Sequence, residues 1–181
     1  MSNTFVNIPK LQSIKCFICD VDGVLSNGLL YLTNNGDEIK TFHVHDGMGL
    51  KFLMHAGIEV AVITTSSNQI IDKRMEQLGI TNYFCGYRDK RKAYNELKQR
   101  LNLEDNQFAY IGDDLPDIAI LMQVGFKIAV NDARAEVKNI ADYITKKIGG
   151  HGAVREVCDL ILTSNDLMNN ALESYINADP K

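Results

Sequence analysis

Short apolar runs alternate along this chain with segments of helical periodicity, and this alternation limits the folds open to it. The apolar runs predict strands at 14–19, 58–64, 83–85, 108–111, 126–130 and 143–145. Helices are predicted at 46–55, 68–78, 90–101, 115–123, 134–140 and 152–162. Strands separated by helices imply right-handed βαβ crossovers and a parallel sheet. We therefore predict an α/β protein with three layers, a Rossmann-like arrangement.

One segment interrupts the alternation of strands and helices. Residues 28–33 and 38–44 are rich in strand-forming side chains and flank the sequence Asn-Asn-Gly-Asp. Asn-Gly between two such segments favours a tight primed turn, so we predict a small β-hairpin insert at about 26–44. The chain as a whole, 1–181, is predicted to be one domain, and residues 166–181 are expected to form a last helix or a mobile tail. Asp46 is the predicted N-cap of the helix after the hairpin.

Composition excludes several classes of protein. The net charge of −4 and the absence of a basic stripe argue against a nucleic-acid-binding protein. The first ten residues contain no long apolar stretch, so we expect neither a signal peptide nor a membrane anchor, and a cytoplasmic location. The four cysteines are expected to be buried thiols, because Cys16 and Cys19 would lie on opposite faces of a strand and Cys85 and Cys158 lie in apolar runs.

Polar residues follow three of the predicted strands. These residues are Asp20, Asp22 and Gly23 after the first strand, Thr64, Thr65 and Ser66 after the second, and Gly112, Asp113 and Asp114 after another, with Asp117 close behind. The carboxyl ends of parallel strands open on the same edge of a sheet. Several carboxylates converging there would repel one another without a cation. Hard oxygen ligands in this number favour Mg²⁺, which pairs well with phosphate.

The other side chains that a phosphate would need are also present. Lys90, at the start of a predicted helix, supplies an ammonium group, and Thr64 supplies a hydroxyl donor. A nucleophilic carboxylate, a second carboxylate as acid and base, a metal, a hydroxyl and a lysine together make a phosphoryl-transfer site that works through an aspartyl phosphate. The sequence therefore predicts a phosphoryl-transfer site with Asp20, Asp22, Thr64 and Lys90 as its candidate catalytic residues.

These motifs resemble those of the haloacid dehalogenase superfamily. The resemblance rests on the Asp-x-Asp-Gly-Val at 20–24, on Thr64, on Lys90, and on Gly-Asp-Asp at 112–114 with Asp117. Four further stretches are similar to the phosphatases of 3-deoxy-D-manno-octulosonate 8-phosphate: Asn-Gly-Leu-Leu-Tyr at 27–31, the Asn-Asn-Gly turn, Phe-His-Val-His-Asp-Gly at 42–47, and 149–158. This second similarity extends over roughly residues 10–165.

The resemblance implies a role for each matching residue. Asp20 would attack phosphorus, and Asp22 would protonate the leaving oxygen and then deprotonate water. Mg²⁺ would be held by the carboxylates of Asp20 and Asp113 and by the backbone carbonyl of Asp22. Thr64 and Lys90 would bind the transferring phosphoryl group.

Two other aspartates would support that site. Asp117 would orient Lys90 or a metal-bound water from outside the set of ligands. Asp114 has two open interpretations, either the same supporting role or an N-cap for the following helix.

The resemblance also implies a substrate-binding set, from which this chain departs at several positions. The set comprises Asp22, His43, Val44, His45, Asp46, Gly47, Lys51, Ser66, Arg74 and Lys90. Arginines are usual in the family at 45, 66 and 151, where this chain has His45, Ser66 and His151, and glycine is usual where it has Thr65. Arginine binds a carboxylate with two parallel hydrogen bonds, which serine and neutral histidine do not reproduce.

The expected activity is Mg²⁺-dependent hydrolysis of a phosphorylated sugar acid, foremost 3-deoxy-D-manno-octulosonate 8-phosphate. The alternatives are a phosphatase of a nonulosonate 9-phosphate and, from another class, a non-catalytic tetramerisation module of the same fold. The resemblance further implies a homotetramer in which the hairpins build a small barrel and a neighbouring subunit covers the site. A calcium loop at Asp20 lacks the closing glutamate, and a zinc pair of His43 and His45 lacks a third soft ligand.

Overall fold

Six parallel strands form the central sheet of the computed structural model, which describes residues 7–177. In spatial order the strands are β5 (Asn82–Phe84), β4 (Glu59–Ile63), β1 (Cys16–Cys19), β6 (Phe108–Gly112), β7 (Phe126–Ala129) and β8 (Tyr143–Ile144). All five pairings between neighbours are parallel. The three-layer α/β prediction and each of its six strands are confirmed.

β1 lies where the strand order reverses: after β1 the chain adds β4 and β5 on one side of it, and then β6, β7 and β8 on the other. Its four residues are all buried and pair with β4 on one side and β6 on the other, so that Ile18 lies between Ala61 and Tyr110. A strand covered on both faces by helices reads as a continuous apolar run, which is how this one was predicted. In sheets of this kind, ligands bind beyond the carboxyl ends of the strands at the point where the strand order reverses.

Helices cover both faces of the sheet. One layer contains α1 (Ile8–Gln12), α2 (Val44–His55), α3 (Gln69–Leu78), α7 (Ala153–Ser164) and α8 (Met168–Asn177), and the other contains α4 (Lys90–Leu101), α5 (Ile118–Leu121) and α6 (Ala135–Lys138). The side chain of Asn68 caps α3 by accepting from the N–H of Ile70, and α3 ends at Gly79 with φ 75°. Asp89 caps α4 in the same manner. The predicted bounds of α3 and α4 are confirmed because both ends carry these local signals.

Other helices differ from their predicted bounds. The segment 115–123 begins with a 3₁₀ turn at Leu115–Asp117 and continues as the single α-helical turn of α5, and α6 is shorter than predicted. Residues 168–177 form a helix, which decides between the two alternatives for that stretch. Residues 178–181 lie outside the described part of the chain. Cys85 is only partly buried because it follows the edge strand β5.

The prediction that Asp46 caps the helix after the hairpin was wrong. α2 begins at Val44, two residues earlier, and His43 precedes it. The Asp46 carboxylate, 1% exposed, instead accepts hydrogen bonds from the N–H groups of Arg155 at 2.7 Å and Gly152 at 3.3 Å. Gly152, which precedes α7, has no side chain with which to cap it. Asp46 supplies that missing acceptor from across the layer.

The hairpin is present but smaller than predicted. β2 (Tyr31–Leu32) and β3 (Glu38–Ile39) pair antiparallel over two residues each. The N–H of Thr33 donates to the carbonyl of Asp37, and three residues lie between them, with φ 85° at Gly36 alone. A primed turn needs positive φ at its first central residue (type II′) or at both (type I′), and neither Asn34 nor Asn35 has it. The prediction of a primed turn was therefore wrong, and the loop is of the three-residue type with a left-handed glycine. No helix among residues 7–177 is long and apolar enough to span a bilayer.

Candidate active site

The polar strand ends predicted to converge do so at one edge of the sheet. Asp20 follows β1, Thr64 follows β4 and Asp113 follows β6, the three central strands. A cavity of about 250 Å³ opens there. It is lined by Asp20, Asp22, Gly23, Gly28, Thr65, Lys90, Asp113, Asp114, Pro116 and Asp117. A cavity this small and this polar suits a phosphate group rather than an entire apolar ligand.

Lys90 is the central cation of the cavity. Its Nζ lies 2.8 Å from Oδ1 of Asp20 and 2.7 Å from Oδ1 of Asp117, and only 2% of its side chain is exposed. Burial lowers the pKa of Lys90, but the two carboxylates outweigh burial and leave that pKa raised. Lys90 is therefore a permanent ammonium, placed by the first turn of α4.

Asp117 already has four hydrogen-bond donors from the protein. Its Oδ1 accepts from Lys90 and from the hydroxyl of Tyr110 at 2.6 Å, and its Oδ2 accepts from the N–H groups of Asp113 at 2.8 Å and Asp114 at 3.2 Å. A carboxylate with this many donors has few lone pairs left for a metal. Asp117 thus holds Lys90 and the loop after β6 in place. Asp114 caps the 3₁₀ turn through the N–H of Leu115.

Three carboxylates come close enough to share a cation. Oxygen atoms of Asp20, Asp113 and Asp117 lie within 4.8 Å of one another. Because Asp117 is already satisfied, Asp20 and Asp113 are the pair with free oxygens. Burial raises the pKa of Asp20 to about 7, against the opposing effect of Lys90. Burial, followed by the charge of Asp20, raises the pKa of Asp113 to about 8. Two such carboxylates fit a hard divalent cation such as Mg²⁺.

Gly23 makes the approach of Asp113 possible. A Cβ placed on Gly23 would lie 2.6 Å from Cγ of Asp113, and the φ of this residue is 85°. Any other residue would therefore meet both a steric clash and an unfavourable backbone conformation. The loop at 149–150 crowds the same turn, since a Cβ on Gly149 would lie 2.6 Å from the carbonyl carbon of Gly23. The catalytic turn is thus fitted closely between two other loops.

Asp22 pairs with a cation that sequence reasoning missed. Lys40, just after β3, forms a salt bridge with Oδ1 of Asp22 and lies 3.0 Å from Oε1 of Glu38. The hydroxyl of Ser26 is 3.4 Å from the same Asp22 oxygen. No local pattern marked Lys40, because a lysine next to a hairpin strand ordinarily lies on the protein surface. Tyr110 was likewise missed, because a tyrosine in a buried strand reads as core.

Thr64 and Thr65, the two residues after β4, lie in different environments. Thr64 is 1% exposed, and its Oγ1 accepts from the N–H of Ser66 at 3.0 Å. Thr65, rather than Thr64, lines the cavity. The predicted phosphate donor Thr64 is therefore buried and does not line the cavity, although its hydroxyl hydrogen is still available for donation.

Most of the predicted substrate-binding set lies away from this cavity. Only Asp22 and Lys90 line it. His43 and His45 instead line a second cavity of about 650 Å³, together with His151, Lys146, Lys147 and Arg155. Asp46 and Gly47 are buried, Val44 is 74% exposed, and Lys51, Ser66 and Arg74 are half-buried. Within one chain the phosphate-sized cavity and most of the predicted sugar-acid contacts are thus separate.

Comparison with known proteins gives a consistent family. A family model for haloacid dehalogenase-like hydrolases matches residues 86–157. The chain is 46% identical over 164 residues to a 3-deoxy-D-manno-octulosonate 8-phosphate phosphatase of Yersinia pestis, covering 91% of this chain and 88% of that one.

Solved structures agree with this sequence match. A hydrolase of haloacid dehalogenase subfamily III A from Legionella pneumophila superposes with a TM-score of 0.92 and 56% identity, covering 93% of each chain. The 3-deoxy-D-manno-octulosonate 8-phosphate phosphatase of Moraxella catarrhalis was solved in complex with magnesium, phosphate and 3-deoxy-D-manno-octulosonate. It superposes with a TM-score of 0.89 and 41% identity, covering 93% of this chain and 97% of that one. The chain therefore belongs to the 3-deoxy-D-manno-octulosonate 8-phosphate phosphatase family of the haloacid dehalogenase-like hydrolases.

Proposed function

We propose that this protein is a Mg²⁺-dependent phosphatase that hydrolyses 3-deoxy-D-manno-octulosonate 8-phosphate to the free sugar acid and inorganic phosphate. The observation that carries the proposal is the contact between Lys90 and Asp20 at 2.8 Å, beside the free carboxylate of Asp113. A carboxylate nucleophile, a fixed ammonium and a divalent-cation site are the parts that phosphoryl transfer through an aspartyl phosphate needs. The reaction and substrate of the Yersinia pestis and Moraxella catarrhalis relatives support the choice of substrate.

Asp20 and Asp22 both act in each half of the reaction, Asp20 as the nucleophile and Asp22 as the acid and then the base. An oxygen of Asp20 forms a bond to phosphorus while the bond to the sugar oxygen breaks, and Asp22 gives that oxygen its proton. Asp22, now ionised, takes a proton from water, whose oxygen bonds to phosphorus and releases Asp20 with inorganic phosphate. Lys90 and the Thr64 hydroxyl bind the phosphoryl oxygens throughout.

The metal would be held by Asp20, Asp113 and the backbone carbonyl of Asp22. When bound, Mg²⁺ supplies positive charge that offsets the repulsion between the phosphate and the aspartates. Asp117 would keep Lys90 oriented toward the phosphate, through the 2.7 Å contact between their side chains.

The rest of the predicted substrate set would act in an assembly of several copies. Five exposed apolar side chains cluster on the hairpin: Leu29, Leu30, Tyr31, Leu32 and Ile39, each between 43% and 70% exposed. Such a patch marks a protein contact. We propose that hairpins from four copies associate and that a neighbouring subunit covers the small catalytic cavity. Each copy is one domain, and we place the enzyme in the cytoplasm.

A second substrate has a specific observation in its favour. The family resemblance implies arginines at the positions of His45, Ser66 and His151, so the carboxylate end of the substrate would meet different donors in this chain. A nonulosonate 9-phosphate has the same acid end on a chain one carbon longer, so its carboxylate lies farther from the phosphate and would need donors at other positions.

A substrate panel tests both proposals. We expect phosphate release from 3-deoxy-D-manno-octulosonate 8-phosphate with Mg²⁺, at a kcat/KM well above that for nonulosonate 9-phosphates and simple sugar phosphates. The reverse ranking would favour the nonulosonate, and equal values would point to a general phosphatase. No hydrolysis of any compound, including an aryl phosphate, would leave the non-catalytic tetramerisation module.

A further inference from the structure

The two aspartates of the catalytic turn are paired with different lysines. Asp20 contacts Lys90, from α4, whereas Asp22 contacts Lys40, from the hairpin. Both lysine side chains are almost completely buried, with 2% and 3% exposed. Burying an ammonium group is costly unless it has good partners, so a second buried lysine at this site needs a reason.

Lys40 links the catalytic turn to two other elements. Its Nζ lies 3.0 Å from Oε1 of Glu38, and Oε2 of Glu38 accepts from Nδ2 of Asn68 at 2.9 Å. Asn68 is the N-cap of α3. Burial lowers the pKa of Lys40, but Asp22 and Glu38 together leave that pKa raised, so the side chain is an ammonium. A continuous polar chain therefore runs from Asp22 through the hairpin to the start of α3.

The contacts to Asp22 leave its two oxygens in different states. Lys40 and the hydroxyl of Ser26 both approach Oδ1. Among the described residues no side chain or N–H donates to Oδ2. The Asp22 side chain is 38% exposed and lines the catalytic cavity, so Oδ2 is the oxygen available for exchanging a proton there. A half-exposed carboxylate without such an anchor would rotate freely.

We propose that Lys40 is a positioning residue for proton transfer, anchoring Oδ1 of Asp22 so that Oδ2 faces the leaving oxygen of the substrate. This inference rests on the proposed function, in which Asp22 is the acid. Lys40 does not line the cavity and so acts through Asp22 alone. The position of the hairpin then determines how well the Asp22 carboxyl is aligned with the leaving oxygen. This alignment determines much of the rate enhancement that a general acid gives.

Activity on two substrates with different leaving groups distinguishes a positioning role of Lys40 from a purely structural one. A sugar alkoxide needs a proton as it leaves, whereas 4-nitrophenolate does not, and kcat/KM reports the step in which the leaving group departs. We expect Lys40→Met to lower kcat/KM for 3-deoxy-D-manno-octulosonate 8-phosphate by about tenfold or more, and for 4-nitrophenyl phosphate by less than about threefold. Asp22→Asn should give the same pattern with a larger loss. Lys40→Arg, which keeps a donor for Oδ1, should recover most of the sugar phosphate activity.

Several results would overturn the proposal. Equal losses on both substrates would mean that Lys40 only supports the fold, and no loss on either would mean that Asp22 needs no anchor. Lys10→Met, which removes a more exposed lysine–aspartate ion pair with Asp142, serves as the control for loss of a lysine ion pair elsewhere and should change neither value. If Lys40→Met does not fold, Glu38→Gln carries the test and should give a smaller loss confined to the sugar phosphate. A wild-type protein inactive on both substrates would instead overturn the proposed function itself, and the role of Lys40 with it.

Discussion

The side chains of Lys90 and Asp117 form an ion pair of 2.7 Å in which the lysine is 2% and the aspartate 1% exposed. Removing the Asp117 charge would leave Asp20, at 2.8 Å, as the remaining carboxylate partner of the buried Lys90. We expect Asp117→Asn to lower the free energy of unfolding by about 3 kcal/mol, since the amide has one acceptor oxygen and cannot serve both Lys90 with Tyr110 and the two N–H groups that Oδ2 now accepts. Urea denaturation measures the change. Glu96→Gln, which breaks an exposed pair with Arg100, should cost less than about 1 kcal/mol, and equal losses in the two variants would contradict this account.

Two glycines with the same backbone conformation separate strain from steric clash. Gly23 and Gly36 both have φ 85°, but a Cβ at Gly36 would meet nothing within 4 Å, whereas one at Gly23 would meet Asp113. Each substitution by alanine should cost about 1 kcal/mol of conformational strain. Only Gly23→Ala should also weaken Mg²⁺ binding, measured by calorimetry, and abolish activity. Normal Mg²⁺ affinity in Gly23→Ala would show that the close approach of Asp113 to this turn does not control metal binding.

The raised pKa values of Asp20 and Asp113 link stability to pH and to the metal. Their values of about 7 and 8 in the folded protein lie above the ordinary 3.8. The folded state therefore holds more protons than the unfolded state, and stability falls as the pH rises from about 4 to about 8. A bound divalent cation should remove this loss by stabilising the ionised forms.

Thermal unfolding with and without Mg²⁺ checks this linkage. The increase in Tm that Mg²⁺ produces should be larger at about pH 8.5 than at about pH 5.5. Asp113→Asn removes one of the two titrating groups and should reduce both the pH dependence and the response to Mg²⁺. A Tm increase that does not vary with pH would mean that these carboxylates are already ionised in the metal-free protein.

The exposed hairpin predicts the behaviour of a variant in solution. Leu32, 70% exposed, lies in β2 within the apolar patch. Leu32→Asp should convert the proposed tetramer to smaller species, because a buried charge without a partner disfavours association. Light scattering after gel filtration measures the mass. Met122→Asp, at a site 61% exposed outside the hairpin, should leave the mass unchanged, and tetramers of Leu32→Asp would exclude the hairpin as the contact.

The strand ends of the site could be predicted because motif and periodicity agree there. Asp20, Thr64 and Asp113 each follow an uninterrupted apolar run, and parallel strands bring such ends together whatever the loops do. Helices with local capping signals, such as α3 and α4, could be predicted equally well. The hairpin strands and α6 were overestimated, since their lengths depend on pairing and packing rather than on residue type.

Contacts between residues that are far apart in the sequence could not be predicted from it. Asp46 resembled an N-cap in its local context, but its partners begin a helix 106 residues later. Lys40 and Tyr110 carry no local sign that their polar atoms would meet Asp22 and Asp117. The same limit applies to the predicted substrate residues, whose position relative to the cavity depends on tertiary and quaternary packing.

The most direct test of the central claim is the release of inorganic phosphate from 3-deoxy-D-manno-octulosonate 8-phosphate by the wild-type protein and by Asp20→Asn. We expect turnover by the wild type that requires Mg²⁺ and stops with a chelator. Asp20→Asn, which cannot form the aspartyl phosphate, should be at least about a thousandfold slower. Turnover by Asp20→Asn at the wild-type rate would contradict the account.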